Sequence, residues 1–123
     1  MSIQFCHATV EFLYTDNNGN TDPTPRTTRV TFAATEAGIG ETTTYGASWV
    51  APMDNFNRKL GRARAQRRIG QSSFARSVQV FNDTFDDFWG SIFADAIANG
   101  PCRWTITDIS FTPKSSTQVD ATA

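Results

Sequence analysis

The chain has one histidine, His7, and two cysteines, Cys6 and Cys102. A single imidazole would have to serve every version of a Ser-His-Asp or Cys-His arrangement, so the usual machinery of acid-base and nucleophilic catalysis is missing. There is no CxxC, HExxH or clustered Cys/His set, which argues against a structural zinc site, and no cofactor is expected. Residues 38–46, "GIGETTTYG", have neither the lysine nor the spacing of a P-loop. No apolar run approaches the ~20 residues that span a bilayer, so no membrane partner is expected. The opening "MSIQFCHATV" lacks the basic and apolar blocks of a secretory leader. Together these absences point to a cytoplasmic, non-enzymatic protein whose cysteines stay reduced. His7 itself reads as a strand residue rather than a ligand or base.

Global charge is also nearly absent, with a formal net of −1. It is unevenly spread. Residues 54–69 hold Arg58, Lys59, Arg62, Arg64, Arg67 and Arg68, six of the eleven basic side chains, against the single carboxylate of Asp54. That stretch carries +5 and the remainder −6. Any electrostatic function must therefore be local to one segment.

What the chain does have is aromatic side chains, ten Phe, three Trp and two Tyr, enough to build a core in a domain of 123 residues. Residues 3–14 alternate so that Cys6, Ala8, Val10, Phe12 and Tyr14 share a face. After a polar break at "TDNNGNTDPTP", the run "RTTRVTFAA" puts Val30, Phe32 and Ala34 together, and "TTTYGASWVA" does the same for Tyr45, Ala47, Trp49 and Ala51. Three antiparallel strands with one apolar face follow. Pro52 ends the third, and Asp54 is placed to cap a helix that runs to Gly70. "QSSFARSVQVF" reads as a short extended segment. From Asn82 to Asn99, Phe85, Phe88, Trp89, Ile92, Phe93, Ala96 and Ile97 recur at spacings of three and four, which makes a second helix with a broad apolar stripe. "CRWTITDISF" is a last strand in which Trp104 and Ile106 fall out of phase with Ile109 and Phe111, so a bulge is expected near Asp108. The expected fold is α+β: one domain over residues 1–112, an antiparallel meander of three to five strands covered on one face by two helices, with 113–123 as a disordered polar tail.

On a helical wheel the first helix has a seam of Phe56, Leu60 and Ala63, with Arg67 pointing to the seam side. Arg58 and Arg62 fall on one flank, and Arg64 and Arg68 on another. Gly61, unfavourable by about 1 kcal/mol in a helix, implies that another backbone or a ligand approaches closely there. Charge split into two edges does not match a single stripe for a DNA groove. It suits arginine forks that grip phosphate, at Arg58, Arg62, Arg64, Arg67 and Arg68. Arg103 beside Trp104 is the candidate for holding a base by cation and ring together. Three readings stay open: a binder of a small anionic nucleotide-like ligand, a polynucleotide binder, and an interaction protein whose basic helix docks on an acidic neighbour such as the second helix of another copy. A plain solvated helix that balances Asp83, Asp86, Asp87 and Asp95 is the alternative to all three.

The pattern Pro52, Asp54, Phe56, Arg58, Gly61, Arg62, Ala65 and Arg68 resembles one in small phage proteins that place a β-meander before such a helix. Among them it is similar to the anti-Thoeris sponge family, which sequesters a cyclic ADP-ribose-type signal made by a bacterial defence enzyme. The resemblance implies a homo-oligomeric, non-enzymatic binder of cyclic nucleotides, with Arg58 and Arg62 at the matching positions for phosphate.

Overall fold

In the computed structural model, which describes residues 2–51, 55 and 57–112, alternation along the chain becomes a five-stranded sheet. The strands are β1 (Ile3–Tyr14), β2 (Arg26–Thr35), β3 (Thr42–Trp49), β4 (Arg76–Gln79) and β5 (Trp104–Phe111). Their order is β4-β3-β2-β1-β5, and every neighbouring pair is antiparallel. The polar turn between β1 and β2 is organised by Asp16, whose Oδ1 accepts from the backbone N–H groups of Asn18 and Asn20, both at 2.9 Å. Gly19 supplies the positive φ of 82° that this tight turn requires.

The bulge lies where the out-of-phase apolar residues place it. Between Glu11 and Phe12 the register of β1 on β5 shifts, so that Glu11 faces Asp108 while Phe12 faces Ile106. One extra residue on β5 therefore turns both Ile106 and Ile109 into the core.

Two helices complete the α+β fold, α1 (Arg58–Ile69) and α2 (Phe85–Ala98). Thr84 caps α2, its Oγ1 accepting from Asp87 N, and Asp86 and Asp87 in the first turn favour the helix dipole. Phe88, Trp89, Ile92, Phe93 and Ala96 of α2 pack on the side chains of Val10, Phe12, Val30, Phe32 and Ala47. That layer is the hydrophobic core. The strand segments and the second helix agree with the sequence expectation, with starts trimmed from Asn82 to Phe85 and from Cys102 to Trp104.

The first helix departs from it in three ways. Asn57 is the N-cap, its Oδ1 accepting from Leu60 N at 3.0 Å, while Asp54 and Phe56 lie outside the described residues, as do 113–123. The face turned to the sheet is Gly61 and Ala65, not Leu60 and Ala63; Leu60 is 45% exposed, and Arg67 is exposed as well. Finally, α1 does not share a face with α2. It lies on the opposite side of the sheet, above Thr31 and Gly46, which makes three layers.

Close approach explains the small residues in that second interface. A Cβ placed on Gly61 would stand 2.6 Å from Thr31 Oγ1, and one on Gly46 would run into the Ala65 carbonyl oxygen. No large apolar side chain fits between these backbones, so burial here carries no hydrophobic period.

Opposite placement also removes one reading of the charge. The basic α1 and acidic α2 lie on opposite faces of the sheet, and among the described residues no cation of α1 is within 4 Å of a carboxylate. No carboxylate of α2 therefore pairs directly with α1 within one chain, among the described residues.

Candidate functional site

β5 ends at Phe111 opposite Ala8, so among the described residues the Ile3–His7 part of β1 has no strand beside it on that side, apart from the Thr112 N–H reaching the His7 carbonyl at 3.3 Å. The two helical layers overhang this corner from above and below. Between them opens a cleft of about 630 Å³, within the ~300–1,000 Å³ range of small-molecule sites.

The upper wall is cationic. Arg58 and Arg62, one helical turn apart, project from α1 over His7. The lower wall is aromatic: Phe85 from α2 stacks on Phe111 from β5 with ring centroids 5.2 Å apart, and Phe5 stands on the strand between. Phe85 is 62% and Phe5 36% exposed. Among the described residues no carboxylate lines the cleft.

His7 registers the field of this corner. Its Nδ1 is 2.9 Å from Thr31 Oγ1, a side chain that is itself fully buried beneath Gly61. Burial first, then the positive charges of Arg58, Arg62 and Arg29, hold the imidazole below its ordinary pKa, so it is neutral at pH 7. A bound anion would reverse the electrostatic part of that shift.

The other candidate residues go elsewhere. Arg64 borders a small hollow of about 50 Å³ with Ser48 and Asn57. Arg67 points into solvent. Arg68 bends around the far edge of the sheet, where its Nη1 donates to the Ala47 carbonyl at 2.5 Å. Arg103 is exposed, and its carbonyl accepts from Thr15 N at 2.9 Å. Trp104 is stacked on Phe12 at 3.9 Å and 14° and abuts Trp49 edge-on at 5.9 Å. It thus belongs to the α2 face of the sheet, away from Arg58 and Arg62. One chain brings together Arg58 and Arg62 but not the full set of seven.

Sequence reasoning missed Phe5, His7, Phe85 and Phe111 as wall residues. They come from three elements and meet only through the sheet register. The sole local signal was the placement of His7 on the polar face of β1, the face on which α1 settles. Cys6 and Cys102 stand near opposite ends of β1: Trp104 faces Tyr14, eight residues or ~26 Å of strand from Cys6, too far for a bridge within one chain.

Among the described residues no group of three or more His, Cys, Asp or Glu could hold a metal ion, and no helix is long and apolar enough to cross a membrane. No protein-family model, curated protein or solved structure matches the chain.

Proposed function

We propose that the cleft at the β1 edge binds a nucleotide-like anion, holding it without converting it. The observation that carries this reading is the opposition of Arg58 and Arg62 to the stacked Phe85 and Phe111, in a cleft that no carboxylate lines among the described residues. Phosphate oxygens suit the arginine forks, and a flat base suits the exposed phenylalanine faces. The likeness of the helix to phage sponge proteins makes the ligand a cyclic nucleotide of the cyclic ADP-ribose type. The biological role is then sequestration of an immune signal in a bacterial host, by an oligomer whose neighbouring chain closes the open side of the cleft.

Mixing the purified chain with a panel of cyclic ADP-ribose isomers and cyclic dinucleotides tests the reading. At about a hundred-fold excess over Kd, ligand should add about 2.7 kcal/mol of stability. Heat denaturation should then release the ligand chemically intact. The double variant Arg58→Gln, Arg62→Gln should fold normally, since both side chains are exposed, and lose the stabilisation. No melting shift with any member of the panel would overturn the reading, and altered ligand would make the protein an enzyme.

A polynucleotide is the second reading, favoured by the five exposed cations of α1, none within 4 Å of a carboxylate among the described residues. Salt separates the two. Affinity for single-stranded nucleic acid should fall steeply as salt rises, with a log-log slope of about −0.7 per phosphate contacted, whereas one small ligand with two contacts changes little.

A further inference from the structure

The opposite edge of the sheet has its own gap. β4 pairs only with Thr42–Tyr45, so Gly46–Trp49 of β3, paired with β2 on its inner side, has no strand on its outer side among the described residues. Arg68, from the last turn of α1, fills part of the space. One N–H of its guanidinium donates to Ala47 O at 2.5 Å, and the guanidinium carbon lies 5.2 Å from the centre of the Phe74 ring. The group is thus pinned from two sides, with most of its five N–H donors not committed to Ala47.

Arg68 lines a cleft of about 690 Å³ with Trp49, Phe74, Ser72, Ser73 and Arg76. The Arg76 charge is already matched, by Asp95 at 2.6 and 3.3 Å. Arg68 has no carboxylate within 4 Å among the described residues, and none lines the cleft. Burial, and after it the Arg64 and Arg67 charges, make its cationic form costlier than usual, a cost that a bound anion offsets. The hydroxyls of Ser72 and Ser73 add donors, and Trp49 adds a ring wall.

We propose that this cleft is a second binding site, in which Arg68 holds the phosphate or carboxylate of a ligand whose aromatic ring lies against Trp49. It shares no residue with the β1-edge cleft. Arg58 and Arg68 are ten residues apart, about 15 Å along α1, and their side chains reach opposite edges of the sheet. The proposal therefore stands on its own whether or not the β1-edge cleft binds nucleotides.

Adenosine monophosphate, benzoate, adenosine and inorganic phosphate are suitable probes, followed by the indole N–H signal of Trp49, assigned with Trp49→Phe. Adenosine monophosphate or benzoate should move that signal saturably, and which of them binds tighter decides between phosphate and carboxylate. Adenosine and inorganic phosphate should each bind about ten-fold more weakly than the better of the two, since each supplies only one half of the contacts. Arg68→Gln should weaken binding by about ten-fold or more, and Arg68→Lys by less, because lysine keeps the charge but not the fork. Arg58→Gln, Arg62→Gln should leave the Trp49 response unchanged. A Trp49 signal that stays still with every probe at about 10 mM, an Arg68→Lys protein that binds as tightly as the wild type, or loss of the response in the Arg58, Arg62 variant would overturn the proposal. Failure of the β1-edge reading alone would leave the Trp49 response intact.

Discussion

Three glycine-to-alanine substitutions should change stability by different amounts and with different signs, and the distances in the structure set which. At Gly61 a Cβ would stand 2.6 Å from Thr31 Oγ1 and 3.3 Å from Thr31 Cβ. Alanine is the better helix former by about 1 kcal/mol. Against that gain, overpacking costs about 1–3 kcal/mol, and Thr31, stiff at χ1, cannot yield without straining its contact with His7, worth about 1 kcal/mol. The net expectation is a loss of about 1–3 kcal/mol, read as a fall of ~0.5–1.5 M in the urea midpoint at a slope of about 2 kcal/mol/M. At Gly46 the clash is with a backbone carbonyl, that of Ala65, which cannot rotate away. Gly46→Ala should therefore cost more, about 3 kcal/mol or beyond. Gly90, on the exposed side of α2, has open space where a Cβ would go, so Gly90→Ala should gain up to ~1 kcal/mol. Equilibrium urea unfolding by far-UV circular dichroism measures all three, with Thr31→Ala as the background that removes the Gly61 clash. Gly61→Ala at or above wild-type stability, or a penalty unchanged in the Thr31→Ala background, would refute the close approach of α1 to β2.

The remaining predictions concern titration and exposure. Tyr45 donates to Asp95 at 2.6 Å from a position only 2% exposed, so Tyr45→Phe should cost about 1.5–2 kcal/mol in the same urea experiment, as for a hydrogen bond to a charged group. Burial and the neighbouring carboxylate push its phenol far above the ordinary range, so its phenolate absorbance should appear only together with alkaline unfolding. For His7 the folded-state pKa lies below the ordinary 6.5, hence the unfolded chain takes up the proton first as pH falls. Its contribution is complete above pH 6.5 and is lost on acidification through the interval down to the folded value, and His7→Gln should flatten that part of the stability profile. Cys102 is exposed and Cys6 is 6% exposed, so a thiol reagent should modify Cys102 in the native protein and Cys6 only after denaturant is added.

Large side chains made most of the fold readable, and small ones hid the rest. The alternations of β1 to β3, the aromatic stripe of α2 and the phase break of β5 are all written in Val, Ile, Phe and Trp, residues whose burial dominates the free energy. The α1 interface is made of Gly61, Ala65, Thr31 and Gly46, residues with almost no hydrophobic signal, so the wheel is oriented by the seam of Phe56, Leu60 and Ala63, of which Leu60 and Ala63 prove exposed. Gly61 alone announced the close approach. Gly46, in mid-strand, carried the complementary cue, since glycine there often marks a backbone coming near. The cleft was unreadable for another reason: Phe5, Arg62, Phe85 and Phe111 are scattered along the chain and converge only through the register of β1 with β2 and β5.

The same geometry reassigns the concentrated charge of residues 54–69. A wheel sorts side chains by angle, but α1 crosses the strands rather than running along them, so position along the axis decides where each arginine works. Arg58 and Arg62 reach the β1 edge, Gly61 sits over β2, and Arg68 reaches the β3 edge. The width of the sheet thus divides one basic segment into two cationic ends, with Lys59, Arg64 and Arg67 exposed to water. Neither end meets a carboxylate among the described residues, while both stand beside exposed aromatic rings, Phe85 at one and Phe74 at the other. An interface that served only to balance charge would put acids there. Rings next to arginines without acids are the composition of a site for an anion that carries a flat apolar body, and the two edges should respond separately when Arg58 with Arg62, or Arg68, is replaced.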